Sequence, residues 1–387
     1  MADGLTRDGV ARLHAAAQQH VGGDRVPGLV ALVAVSDQVH TEALGTLAIG
    51  GQPVTRDSQF RIASMTKPMT AVGTLALVAE GLLGLDEPVD RLLPELADRR
   101  VLRQLDGPLD DTVPAGRAIT TRDLLTFTFG FGMVMEMFAA TSPWPIVLAE
   151  QELQLSTLGP PDRSVQPGPD TWIERFGTLP LLAQPGESWM YNTGSAVLGV
   201  LLERAAGQPF GEVLRTRVFE PLGMRDTAFW AADSKRLATA YRHGQGGLEA
   251  WDEPDGVYSR PPAFCDGSAG LVSTVDDVLA FSRMLLRGGA PVLSAEAVTA
   301  MTSGQLTAAQ KARGGFGPDQ FAKDSWGFGQ EVTADGAFGW TGGFGTSWQA
   351  NPAHDLTVIT LTQVMFESPE APRVTADIQA AAYAALG

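Results

Sequence analysis

The chain has 387 residues, 44% of them hydrophobic, with 44 glycines and 25 prolines; that is the composition of a loop-rich globular protein and excludes a disordered or fibrous one. A formal charge of −16 repels nucleic acid and anionic membrane, so neither is expected as a partner. The single cysteine, Cys265, excludes an intrachain disulfide framework and a cysteine-based zinc site, and no metal or cofactor is expected.

The opening "MADGLTRDGVARLHAAAQQH" reads as an amphipathic helix with charges throughout, and it lacks the apolar core of a signal peptide. No apolar run is long enough to span a bilayer. A cytoplasmic, soluble protein is therefore expected, with its oligomeric state open. Next, "GLVALVAVSDQVHTEALGTLAIGG" gives two β-rich runs around a polar turn at Asp37, closing at Gly50, which predicts an antiparallel hairpin. Residues 65 to 83 read as a helix that tolerates Pro68 in its first turn.

From 84 to 260 short helical segments alternate with Pro- and Gly-rich loops such as "GPPDRSVQPGPDTW" (159–172), the pattern of a mainly helical insertion. Near the end "GAFGW", "GTSWQANP" and "LTVITLTQ" read as strands, and a last helix is expected to start near Ser368. The expected fold class is thus α/β (α+β). An antiparallel sheet flanked by the N- and C-terminal helices is drawn from 1–83 and 261–387, a mainly helical domain from 84–260, with the active site between them.

Within "FRIASMTKPMT" (60–70), Ser64 and Lys67 stand three apart at the start of the buried helix, and that spacing puts both side chains on one face. A buried lysine tends to lose its proton, and a neutral amine beside a hydroxyl is a base beside a nucleophile. The plainer reading is a helix cap with a stray surface lysine. Of four lysines, at 67, 235, 311 and 323, only Lys67 has a serine three positions before it. His14, His20, His40, His243 and His354 fall in a helix, a hairpin, a loop and a turn, where surface or capping roles suffice, and no GxSxG elbow occurs.

Two further stretches invite attention. Tyr191 in "PGESWMYNTGSAVLGVLLERA" sits where a turn meets an apolar helix: either a packing residue, or a phenolate held by the charge of Lys67 that relays a proton. Tyr241, Tyr258 and Tyr383 have no comparable setting. In "FGWTGGFGTSW" (338–348), Gly342, Gly343 and Gly345 weaken a strand and suit a place where a ligand or backbone approaches closely, or else a bulge at the end of the sheet. A backbone N–H there, paired with that of Ser64, would suit a developing oxyanion.

These three stretches, in this order, resemble the serine β-lactamase and penicillin-binding-protein superfamily, class C-like branch, of family VIII carboxylesterase type. The SxxK, tyrosine and KTG-type motifs stand here as Ser64-Met65-Thr66-Lys67, Tyr191-Asn192-Thr193 and Trp340-Thr341-Gly342. "LLTFTFGFG" (124–132), "QPGESWMYN", "VFEPLGMRDTAFW" (218–230) and "AGLVSTVDDVLAFSRMLL" (269–286) match secondary blocks, so the resemblance spans nearly the whole chain. It implies an acyl-enzyme on Ser64, Lys67 and Tyr191 as general base and acid, and an oxyanion hole of the Ser64 and Gly343 N–H groups. It also implies substrate contacts from Trp340, Thr341, Gly342, Asn192, Thr193 and Phe127.

Two departures narrow the substrate. Trp340 replaces the lysine that grips a β-lactam carboxylate, and Thr193 replaces the asparagine that bonds the substrate amide, with Asn192 one position early. Esters of short to medium acyl chains are therefore expected, with Phe127, Phe129, Phe131, Met133, Met135 and Met137 either lining an acyl pocket or packing the helical domain. The alternatives are a β-lactamase, a D-amino-acid peptidase or other amide hydrolase, an acyltransferase, and a non-catalytic binding protein of the same fold.

Overall fold

Strand β1 (Gly28–Val35) is buried at every residue, and an unbroken apolar run of this kind is what a strand covered on both faces requires. Leu29, Ala31, Val33 and Val35 pack with Leu13 and Ala17 of helix α1 (Arg7–Gln18) and with Val374 and Ile378 of the C-terminal helix Arg373–Ala384. Val30, Leu32 and Ala34 face the opposite way, into a core shared with Val278 and Phe281 of helix Val275–Leu286. Each such aliphatic side chain contributes about 1.5–3 kcal/mol of burial free energy. The computed structural model describes residues 4–23, 25–158, 162–316, 320–368 and 371–386.

With β2 (Gln38–Gly45), β3 (Ser325–Trp326), β4 (Glu331–Val332), β5 (Phe338–Gly342), β6 (Thr346–Asn351) and β7 (Leu356–Thr362), this strand forms a seven-stranded sheet ordered β2-β1-β7-β6-β5-β4-β3. Every neighbouring pair is antiparallel, and Trp340 of β5 lies opposite Trp348 of β6. The antiparallel sheet flanked by the first and last helices is as expected.

Helix α2 (Thr66–Ala79) is buried from Thr66 to Leu77, so it has no solvent-exposed face and forms the centre of the molecule. It runs shorter than the expected 65–83: one 3₁₀ turn, Ala63–Met65, precedes it, and the chain turns away at Gly81, whose φ is +73°. Pro68 lies in the first turn, where no intrahelical donor is missed. Helix α3 (Thr193–Ala206) packs beside it and ends on Gly207 in the left-handed region.

The stretch from 84 to 260 carries the expected helices and also two hairpins, Arg100–Leu102 with Thr112–Pro114 and Ala240–Gly244 with Gly247–Asp252. Their short strands of mixed polarity hide them from a periodicity reading. The C-terminal helix begins at Arg373 behind Pro372, not near Ser368, because proline suits a helix start. Residues 159–161 of the proline-rich loop lie outside the described residues. No helix among the described residues is long and apolar enough to cross a membrane.

Candidate active site

Ser64 is placed by contacts on both sides of a short, tightly held segment. Phe60–Arg61 pairs with Val272–Ser273. Ala63 then takes φ +43°, a left-handed conformation uncommon for alanine that turns the chain into the 3₁₀ turn carrying Ser64. The Ile62 carbonyl accepts the hydroxyl of Thr346 at 3.1 Å, and the end of β5 presses against the same carbonyl. A Cβ on Gly342 would lie 2.2 Å from Ile62 O and from Thr346 Oγ1, so only glycine permits this approach.

Lys67, one turn into the helix, is wholly buried and donates from Nζ to Ser64 Oγ at 2.8 Å and to the Ser268 carbonyl at 2.7 Å. Burial pulls its pKa from the ordinary lysine value down to about 7, against the opposing pull of the Asp266 charge. Near neutral pH a large share of Lys67 is the free amine, so the reading of a stray surface lysine falls.

Tyr191 also lies beside Ser64, close enough for their hydroxyls to interact, and its oxygen accepts the indole N–H of Trp340 at 2.7 Å. Burial raises the phenol to about 12, although Ser64 and the Trp340 indole oppose that shift. Lys67 Nζ lies over the ring face, 4.6 Å from its centroid. Of the two readings left open, the phenolate therefore fails: Tyr191 is a neutral phenol, because burial outweighs the opposing polar contacts. Phe127, Trp189, Trp326 and Phe316 box the ring in.

These groups open on a cavity of about 320 Å³ whose walls include Ser64, Tyr191, Asn192, Trp340, Thr341 and Gly343. A Cβ on Gly343 would meet nothing within 4 Å, so this residue faces open space, and its carbonyl is held by the Phe366 N–H at 2.8 Å. The remaining walls are mostly apolar, from Met133, Phe138, Phe316, Phe344, Met365 and Phe366. Among the described lining residues the one charged side chain is Glu367.

Several expected contacts are corrected. Thr193 is fully buried at the start of α3, Phe127 is fully buried behind the tyrosine, and Gly342 is packed against Ile62; none of the three lines the cavity. Asn192 does line it, yet its amide N–H is bonded to the Thr157 carbonyl at 2.8 Å, and its φ of +84° suits asparagine in a strained turn. Of the Phe and Met cluster only Met133 reaches the cavity. Phe129 and Phe131 pack on Phe176 in the core, and the short helix Met135–Ala139 buries no residue.

The sequence reading missed Ser268, which acts through a backbone carbonyl and so leaves no side-chain signature. It also missed Phe138, Phe316 and Phe344, which come from three distant stretches. Among the described residues no group of His, Cys, Asp and Glu is placed to hold a metal ion.

The family model described as Beta-lactamase matches residues 13–383. Protein Rv1367c of Mycobacterium tuberculosis is 38% identical over 332 residues, covering 81% of this chain and 79% of the relative. Esterase EstB of Burkholderia gladioli is 31% identical over 395 residues, covering 97% and 95%. Among solved structures, EstCE1, described as a hydrolase with promiscuous acyltransferase activity, superposes with a TM-score of 0.80 at 26% identity, over 97% of this chain and 99% of its own.

Proposed function

The chain belongs to the beta-lactamase family, on its family VIII esterase side, and from that premise we propose that it is a serine hydrolase of uncharged carboxylic esters. The observation that carries the reading is the 2.8 Å contact between Lys67 Nζ and Ser64 Oγ beside an apolar cavity. The similarity to an esterase over nearly the full chain supports it.

In the proposed reaction Lys67, as the free amine, takes the Ser64 proton while Oγ bonds to the ester carbonyl carbon. The N–H groups of Ser64 and Gly343 hold the oxyanion. Collapse of the tetrahedral intermediate breaks the bond to the alcohol oxygen, which leaves with the phenolic proton of Tyr191. Water then attacks the acyl-enzyme, giving its proton to the Tyr191 phenolate, and Ser64 departs with the proton from Lys67, so all three groups return to their starting states. The division into a sheet domain (1–83 and 261–387) and a helical domain (84–260) belongs to the same proposal. It is supported by Ser64 and Trp340 coming from the first and Tyr191 from the second.

The described cavity lining holds no cation for a β-lactam carboxylate, and Trp340 fills the place where one stands in the family's antibiotic-hydrolysing members. Ester substrates are thus favoured over anionic amides. Transfer of the acyl group to an alcohol in place of water is the second reading, favoured by the likeness to EstCE1. Parallel turnover of p-nitrophenyl butyrate, nitrocefin and a D-alanyl amide tests the substrate class: ester turnover is expected to dominate, and faster nitrocefin hydrolysis contradicts it.

A further inference from the structure

Behind Lys67 lies a buried carboxylate that the reaction scheme above leaves without a role. Asp266 is 2% exposed, and its Oδ1 accepts both the backbone N–H of Ser268 at 2.8 Å and its hydroxyl at 2.7 Å. Its own carbonyl accepts the Gly270 N–H at 2.9 Å. The chain is thereby wound into a turn whose Ser268 carbonyl receives Lys67 Nζ at 2.7 Å.

The turn is clamped from outside as well. Thr70, one helical turn beyond Lys67, donates to the Gly267 carbonyl at 2.8 Å, and Arg163 donates to that of Gly270. Gly267 has no room for a side chain, since a Cβ there would lie 2.4 Å from the Ser195 carbonyl.

Resting on the proposed esterase chemistry, we propose that Asp266 is a positioning residue: it aims the Ser268 carbonyl at Lys67 and supplies the negative charge against which Lys67 holds the proton taken from Ser64. In that step the Ser64 O–H bond breaks, an N–H bond forms on Lys67, and the carboxylate of Asp266 gains no proton. A buried ammonium needs such a counter-charge.

The surrounding groups single out Asp266. It is the charge that acts on Lys67. Tyr191, on the segment before α3, faces the amine uncharged. On the far side of the turn Arg61 and Arg163 flank the ring of Tyr258, at 5.1 and 3.7 Å from its centroid, and Arg61 is paired with Asp252. Glu203 of α3 acts towards Cys265.

The test is the pH dependence of covalent labelling of Ser64 by a fluorophosphonate in full-length wild type and D266N, since the asparagine carbonyl still accepts both Ser268 donors but carries no charge. Labelling needs the free amine of Lys67, so its rate rises with pH. Without the counter-charge the amine stays free at lower pH but is a weaker base. The rising limb of D266N is therefore expected about one pH unit lower, with a plateau about tenfold lower. A merely structural role lowers thermal stability and leaves the limb in place, and superimposable profiles overturn the proposal.

If the asparagine variant does not fold, S268A carries the test. It keeps every charge and the backbone bonds of the turn but loses the hydroxyl bond by which Asp266 holds Ser268, so its plateau is expected to fall several-fold with the limb unmoved, and a wild-type plateau counts against Asp266. Wild-type protein that takes no label on Ser64 overturns the esterase reading instead, so the two failures are told apart.

Discussion

Trp340 donates its indole N–H to the hydroxyl oxygen of Tyr191 at 2.7 Å, and its ring lies edge-on to Trp326, centroids 4.7 Å apart. Because that oxygen accepts from the indole, the single phenolic proton is left free to point towards Ser64 and the leaving group. In the proposed reading the residue that stands in place of a β-lactam-binding cation is thus also the one that orients the acid.

Separating these two effects takes two substitutions. Trp340→Phe keeps the bulk and loses the donor, and kcat for p-nitrophenyl butyrate is expected to fall about tenfold with KM little changed. Trp340→Lys restores a cation at the cavity wall, and the ratio of nitrocefin to ester turnover is expected to rise. An unchanged kcat in the first variant removes the orienting role from the indole.

Lys67 also links the site to stability. Its pKa is lower in the folded chain, at about 7, than the ordinary value of 10.5. Between those pH values the folded state binds fewer protons than the unfolded one, so stability gains as pH rises through that window. Below it both states are protonated and the burial cost is constant at its largest, a few kcal/mol. Lys67→Met is therefore expected to be more stable than wild type, with a Tm advantage that is largest at about pH 6 and shrinks towards pH 10. Thermal unfolding at a series of pH values checks this, and an advantage that grows with pH contradicts the assignment of a free amine.

Two adjacent glycines should respond in opposite ways. Gly342→Ala places a methyl 2.2 Å from the Ile62 carbonyl and is expected to cost roughly 1–3 kcal/mol and to disturb the segment leading into Ser64. Gly343→Ala meets nothing within 4 Å, so its Tm should stay near wild type while the added methyl narrows the cavity and lowers kcat/KM for bulky esters. Denaturant unfolding and ester kinetics on both variants read the contrast.

The candidate site was legible in the linear chain to the extent that local spacing or side-chain chemistry encodes it. Ser64 and Lys67 sit one helical turn apart, and that geometry follows from sequence alone. Strands β1 and β7 were likewise legible as β-rich runs, but their burial on both faces depends on the helices that cover the sheet and was not. Thr193 was misplaced because motif position says nothing about which way a helix start faces, and here the hydroxyl turns inward. Asn192 bonds a carbonyl 35 residues away, a partner no local pattern predicts. The choice between the two readings of Tyr191 was left open because its burial, which keeps the phenol neutral, arises from aromatic rings gathered from separate stretches.

The most direct measurement is the rate of fluorophosphonate labelling of Ser64 as a function of pH, followed by intact mass, in wild type and Lys67→Ala. A single adduct is expected, absent in Ser64→Ala, forming at a rate that climbs through about pH 7 as Lys67 loses its proton and that falls by several orders of magnitude without the amine. Labelling of Lys67→Ala at the wild-type rate, or a profile flat through neutrality, would contradict activation of Ser64 by Lys67.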